Sequence, residues 1–363
     1  MKKSQKSQKS QKSPSSKKTK KKSAQNNENR QSKELTIAQF NKLEYPYRNL
    51  EISKQQMLDD FAQLKKYKTK ILRHNPTKKY INKFKNNKFL IFIEDYQQNE
   101  DFYRITDYFT EECRVNCLLK IKTNKSRLDF FTKNKHKIVK ALQKRTEKLT
   151  FYNINEYMFR ERAGECTLFK TTMVMNILNL FKPKRWLDCC AGWGDRLVGA
   201  IAYGCEEYQA VDPNKCLQPK YKKIIKELAP KSKQKNFNVI CDGFEKATIK
   251  KNHYDLVFTS PPFFDFEVYE DDENQSIQQF TTVDKWRKYF LYPLIDKSYN
   301  SLKKGAYFSL YIDDFEGSNY IKDMKNYIRS NYQNKLRYDG DLHYWFKKSP
   351  KKIRIIYVWK KIN

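Results

Sequence analysis

Beyond residue 153 the apolar positions of the chain switch repeatedly between two periods. Residues 171–181 place Met173, Ile177, Leu178 and Phe181 at the three-to-four spacing of a helix with one buried side. Residues 185–188 (RWLD) follow as a short apolar run, the first strand. The alternation continues through a helix at 195–203, a strand at 208–211, a helix at 217–228 and strands at 237–241 and 254–259. A helix at 286–301, a strand at 305–311, a helix at 320–331 and strands at 335–339 and 352–359 complete it, with a loop around HYWFKKSP between the last two. Strands alternating with helices predict an α/β fold, in which a parallel sheet carries helices on both faces and ends in an antiparallel pair.

Residues 34–152 read differently. Within 53–72, Met57, Leu58, Phe61 and Leu64 stand at helical spacing beneath a basic outer face. Residues 89–94 (FLIFIE) predict a strand, and Tyr103, Ile105, Tyr108, Phe109, Cys113 and Cys117 could line one side of a packed element. Residues 133–148 form a strongly basic helix with Ile138, Val139, Leu142 and Leu149 turned inward. Residues 1–33 are a Ser/Lys/Gln repeat with almost no apolar side chains, too little to offset the entropy of ordering, so disorder is expected there. Its run Lys17 to Lys22 reads as a nuclear address, a loose phosphate-binding arm or a solvated tail. The chain therefore divides into a disordered basic tail (1–33), a smaller basic α+β domain that reads the substrate (34–152) and an α/β catalytic domain (153–363).

Charge narrows the class of partner. Lys and Arg number 74 against 41 Asp and Glu, a formal net charge of +33, which suits a polyanion. The 25 Tyr and 24 Phe are interleaved with lysines, a composition that allows base stacking beside phosphate contacts. The 8 cysteines include no CxxC pair and the 4 histidines are dispersed, so no zinc-ligand spacing arises and no metal is expected. Buried reduced thiols, and with them an intracellular place in nucleus or cytoplasm, are the expectation. No apolar run reaches membrane-spanning length and the N-terminus lacks an apolar leader segment, which argues against secretion and insertion alike.

The candidate chemistry sits at four successive strand ends. RWLDCCAGWG (185–194) ends a strand in Asp188, passes through small residues and turns at Gly192 and Gly194 into a helix. AVDPN (210–214), VICDGF (239–244) and FTSPPF (258–263) each follow an apolar run in the same way. In an open parallel sheet these carboxyl ends share one edge, where ligands bind.

These residues resemble a known family. From about residue 155 to 363 the chain is similar to class I S-adenosylmethionine-dependent methyltransferases, and in particular to the DNA and RNA amino-methyltransferases of adenine N6 and cytosine N4. Their first motif, of D-P-F-x-G-x-G type, stands here as Asp188-Cys189-Cys190-Ala191-Gly192-Trp193-Gly194, with two cysteines replacing Pro-Phe. Their [DNS]-P-P-[YFW] motif stands as Ser260-Pro261-Pro262-Phe263. The resemblance implies a Rossmann-like sheet of seven strands and S-adenosylmethionine as cofactor.

It also implies roles for individual residues. Asp188, Ala191, Gly192 and Gly194 would hold the methionine portion at a helix N-terminus. Asp212 would accept from both ribose hydroxyls, and Asp242, Gly243 and Phe244 would receive the adenine; Asp-Pro-Asn and Asp-Gly are also ordinary turn formers. Ser260 and the Pro261 carbonyl would accept the two hydrogens of the target amine, with Pro262 stiffening the turn and Phe263 stacking on a base that has left its duplex. Phe264, Asp265 and Tyr269 would border the substrate, and the acidic residues 270–273 would form a loop turned away from phosphate. The implied reaction is methylation of an exocyclic amine on a nucleic-acid base, DNA cytosine N4 or adenine N6 placed ahead of RNA. An RNA base such as guanine at N2, a protein amide, and a catalytically silent nucleic-acid-binding partner subunit remain open alternatives.

Overall fold

The computed structural model describes residues 34–69, 71–72, 91–95, 102–119, 126–161, 163, 166–264, 267–269, 273–314, 318–346 and 349–363. The segment 1–33, and with it Lys17 to Lys22, lies outside the described residues. Helices α1 (Ile37–Lys42) and α2 (Lys54–Lys65) each open on a capping box, Thr36 with Gln39 and Ser53 with Gln56, which satisfies otherwise orphaned N–H groups. Next come β1 (Ile71–Leu72), β2 (Ile91–Asp95), α3 (Tyr103–Arg114), β3 (Leu118–Leu119), α4 (Arg127–Lys144) and α5 (Phe151–Arg160). The alternating half then runs α6 (Thr171–Phe181), β4 (Arg185–Asp188), α7 (Asp195–Tyr203), β5 (Glu207–Val211), α8 (Leu217–Leu228), β6 (Phe237–Ile240), β7 (Tyr254–Thr259) and β8 (Glu267–Val268). A helical stretch from Val283 passes through a π-turn at Arg287–Leu291 into α9 (Tyr292–Ser301). After it come β9 (Leu302–Tyr311), α10 (Tyr320–Tyr332), β10 (Leu336–Phe346) and β11 (Ser349–Lys361).

The main sheet has the order β1-β2-β10-β11-β9-β7-β4-β5-β6. From β9 through β7, β4 and β5 to β6 every pairing is parallel, and β11 enters antiparallel between β9 and β10. Strand β4 lies in the interior of the sheet, so Asp188 ends between two neighbours. Side chains alternate as the pleat requires. Trp186, Tyr208, Ala210, Leu256 and Phe258 pack on one face with α6, α7 and α8, while Leu187, Val211, Val257 and Phe308 pack on the other with α9 and α10. This is the α/β, Rossmann-like architecture expected from the sequence, a parallel sheet with helices on both faces that ends in antiparallel strands.

The sheet is wider than expected, and its N-terminal neighbours are not segregated. β2 pairs in parallel with β10, and β1 pairs with β2, so the run predicted at 89–94 extends the main sheet from its far edge. Met57, Phe61 and Leu64 of α2 and Ile105, Phe109 and Cys113 of α3 join the same core as α6, α7 and α8. A second, smaller core gathers Phe40, Phe131, Ile138, Leu142, Ile154 and Met158 from α1, α4 and α5. A boundary at 152/153 thus cuts through α5 and assigns α2 and α3 to the wrong body. Their apolar stripes are too large to leave wet, and the helices covering the sheet supply the surface that buries them.

Two further expectations change. Most of the HYWFKKSP segment is strand where a loop was expected: His343 to Phe346 belong to β10, Ser349 begins β11, and residues 347–348 lie outside the described residues. Leu342 and Tyr344 pack beside Ile356 and Val358, an alternation that keeps the strands paired well beyond 339. Four of the cysteines are not free thiols. Cys113 is bonded to Cys216 and Cys117 to Cys166, tying α3 to the start of α8 and β3 to the segment before α6. Cys189, Cys190, Cys205 and Cys241 take no part in these two disulfides, and Cys189 and Cys205 are buried. Among the described residues no helix is long and apolar enough to cross a membrane, and no group of three or more His, Cys, Asp and Glu side chains could hold a metal.

Helices α6 and α7 approach most closely at Gly199, where a Cβ would stand 2.4 Å from Cγ1 of Val174. Gly199→Ala is expected to destabilise the fold by about 1–3 kcal/mol through overpacking, read as a lower urea midpoint, with Val174→Ala recovering part of the loss in the double variant.

Candidate active site

The chain reverses from β4 into α7 through Gly192 (φ +62°) and Gly194 (φ +101°). A side chain at Gly194 would be strained by that dihedral and would meet Ile224 Cδ1 at 3.0 Å, so glycine is required there. The turn is pinned from both sides. Ala191 N–H donates to Val211 O at 2.9 Å, Gly192 N–H donates to Asp212 Oδ2 at 2.7 Å, and the Tyr221 hydroxyl donates to Gly192 O.

Asp188 is completely buried and already fully engaged. Its Oδ2 accepts from Arg196 Nε at 2.7 Å and from the Tyr208 hydroxyl at 2.8 Å. Its Oδ1 accepts from the Thr259 hydroxyl at 2.8 Å and from Cys190 N–H at 3.3 Å. One carboxylate therefore locks the ends of β4 and β7 and the first half of β5 to α7. It does not face the cavity beside it, which corrects its expected role as a direct ligand group: with four donors inside the protein it has no capacity left over. What reaches the cavity wall is Arg196, which also donates to Cys190 O and lies over the ring of Phe169 at 5.2 Å.

The cavity has a volume of about 310 Å³. Ala191, Gly192 and Trp193 of the turn, Asp212 and Asn214 after β5, Gly243 and Phe244 after β6, and Ser260, Pro261, Pro262 and Phe263 after β7 all line it. The four strand ends singled out in the sequence thus meet around one space. Asp212 Oδ1 accepts from Asn214 N–H at 3.0 Å, so each oxygen holds one backbone donor and keeps room for another. Burial pushes its carboxyl up to about 6 against two backbone N–H groups that favour the charge. Because folded Asp212 holds its proton more tightly than the unfolded chain does, this group subtracts stability as pH rises from 3.8 through about 6.

The remaining candidates divide. Gly194 shapes the turn without lining the cavity. Asp242 also stays outside the wall, its Oδ1 accepting from Gly243 N–H at 2.8 Å, so it caps its own turn. The loop it opens is fixed by Lys297, whose ammonium donates to the carbonyls of Phe244, Glu245 and Ala247, each at 2.8 Å. Phe264 turns from the cavity toward Trp286, with ring centroids 6.2 Å apart, because the chain takes φ +50° there. Asp265 and residues 270–272 lie outside the described residues. Tyr269 lines the cavity, edge-on to Trp193 at 5.8 Å.

Glu267 falls in the acidic, aromatic segment 264–269 expected to border the pocket, whereas Phe169 and Tyr311 carry no sequence signal. Glu267 is buried, accepts from Thr167 N–H at 3.1 Å, and has its carboxyl raised by that burial. Phe169 and Tyr311 stand edge-on at 5.4 Å, and Tyr311 meets Phe263 at 6.0 Å, giving an aromatic wall on the Pro-Pro side. Burial pushes the Cys190 thiol well up, so it offers no thiolate nucleophile to the cavity.

A family model described as "Conserved hypothetical protein 95" matches residues 166–284, the span from the wall segment before α6 past the Pro-Pro turn. No curated protein matches the chain. Among solved structures, TrmN from Thermus thermophilus is similar at 10% identity and TM-score 0.37, over 53% of this chain and 49% of that one, about half its length. A putative RNA methyltransferase from Pyrococcus horikoshii is similar at 16% identity and TM-score 0.35, over 53% and 83% of the two chains. An rRNA methylase from Streptococcus thermophilus is similar at 12% identity and TM-score 0.35, over 55% and 100%.

Asp188→Asn should leave the Arg196 guanidinium buried without its counter-charge. A loss of about 3–5 kcal/mol is expected, measured as a lowered midpoint in thermal or urea unfolding.

Proposed function

We propose that this protein is an S-adenosylmethionine-dependent N-methyltransferase acting on an exocyclic amino group of a nucleic-acid base. The observation that carries the reading is the meeting of the glycine turn, Asp212 and Ser260-Pro261-Pro262-Phe263 around a single cavity. The residues present fit the cofactor. Asp212 keeps acceptor capacity on both oxygens, which suits a pair of vicinal hydroxyls. Phe244 and Gly243 give an apolar wall and a bare backbone for a purine, and Arg196 brings a cation to the end of the cavity where α7 begins. That cation, held by Asp188, suits the carboxylate of a methionine group.

When bound, the cofactor supplies an electrophilic methyl group on a sulfonium sulfur. The chain's task is then to hold an amine in line with it. An exocyclic amine of cytosine or adenine has its lone pair delocalised into the ring and attacks poorly until it pyramidalises. Ser260 Oγ and the Pro261 carbonyl oxygen would each accept one amine hydrogen and so favour that geometry, while the two prolines keep the carbonyl aimed. Phe263 and Tyr311 offer ring faces and edges to a base turned out of its stack. Once methylated, the amine nitrogen would carry an acidic proton that solvent can take, so the chain need supply no strong base. A serine in the first motif position serves cytosine N4 and adenine N6 alike.

Transfer of a radiolabelled methyl group should occur to DNA or to RNA, and Ser260→Ala should reduce it by about a hundredfold or more, as loss of one preorganised polar partner does. Phe263→Ala should lower it too. Digesting the product to nucleosides names the base and the polymer. Label on no nucleic acid, or undiminished label with both variants, would defeat the assignment.

Because Asp212 must be ionised to accept from both hydroxyls, cofactor affinity should weaken as pH falls through about 6. Calorimetric titrations between about pH 5 and 7 test this, and Asp212→Asn should flatten the profile at a weaker affinity.

A further inference from the structure

The small core of α1, α4 and α5 leaves two outward helix faces whose chemistry the cavity does not use. On α4, Lys137, Lys140 and Lys144 are all exposed. Their spacing of three and four residues aligns them along one side of the helix, opposite the buried Phe131, Ile138 and Leu142. On α5, Tyr152 is 63% exposed and Phe159 is 65% exposed, values unusual for large rings. They are seven residues apart, two helical turns or about 10 Å, and so share the face opposite Ile154 and Met158.

We propose that these two faces together dock a single-stranded polynucleotide and hold it so that a nucleotide further along the strand reaches the cavity, an inference that rests on the methyltransferase reading above. Three cations in a row on a rigid helix can follow successive phosphates, and two exposed rings on the adjoining helix can stack on bases. Charge complementarity favours this occupant over another protein: α4 presents three exposed lysines, and Glu156, the carboxylate on the ring face of α5, is paired with Arg160 at 4.0 Å. A duplex would hide the base faces that the rings need; a single strand exposes them. The path to the cavity is short. Phe159 precedes Thr167 by eight residues, at most about 27 Å of chain. Thr167 itself binds Glu267 in the cavity wall. Lys170 and Arg354 add positive charge to that wall.

The test uses the full chain and fluorescence anisotropy with labelled 20-nucleotide single strands of RNA and of DNA, and a blunt duplex of equal length. Tyr152→Ala with Phe159→Ala should weaken single-strand binding by about tenfold or more while leaving the salt dependence unchanged. Lys137→Gln, Lys140→Gln and Lys144→Gln together should flatten the slope of log affinity against log salt by about 2. Tyr152→Phe with Phe159→Tyr should retain wild-type binding. Wild-type affinity in the alanine variant, or an equal loss on duplex and single strand, overturns the proposal. Methyl transfer scored on the same samples separates the two readings: transfer that persists while the alanine variant binds normally defeats the surface alone, and binding with no transfer defeats the catalytic reading alone.

Discussion

The structure depends on one buried ion pair. Asp188 and Arg196 lie within 2.7 Å of each other with essentially no solvent contact, and Tyr208 and Thr259 complete the shell. Taking both charges from water is costly, and the pairing is tolerable only because every oxygen of the carboxylate finds a donor. Four elements converge to provide those donors, so the strand ends that form the cavity floor are held in register by the same contacts that satisfy the charge. Rigidity there suits the proposed reaction, in which a methyl donor and an acceptor nitrogen would have to be held in line. The charge network continues into α3, where Asp107 meets Arg114 at 2.6 Å and Arg48 at 2.9 Å, and where burial and Asp107 push the Glu111 carboxyl up to about 8. Asp195, at the start of α7, sits against that network with its own carboxyl raised by burial to about 7.

The alternating half of the chain was legible because each of its elements carries its own period. The stripe Met173, Ile177, Leu178 and the runs ending in Asp188, Asp212 and Thr259 identify themselves without their neighbours. Ser260 to Phe263 could be placed at the cavity because a Pro-Pro step after an apolar run ends a strand in only one way. The role of Asp188 was not legible. A motif locates a carboxylate, but whether it faces a ligand or an arginine depends on what the next helix presents, and Arg196 had no pattern of its own.

The N-terminal region was misdivided for a related reason. Composition separates 34–152 from the C-terminal half of the chain, yet cores are defined by shape. α3 and α8 lie side by side although 103 residues separate Cys113 from Cys216, and no local spacing announces such a contact. Phe169 and Tyr311 carry no local signal either: each reaches the wall through sheet or loop geometry that local sequence does not encode.

The strand order has a consequence for how the chain acquires its shape during synthesis. β11 occupies residues 349–361 yet sits between β9 and β10, and β2, from residues 91–95, joins the rest of the main sheet only through β10. The early strand must therefore wait, exposed at its edge, until residues some 250 positions later in the sequence have emerged and formed their hairpin. Long-range closure of this kind is slow, and it marks the interval before β10 arrives as the time when the nascent protein is most open to wrong pairings and most in need of a chaperone.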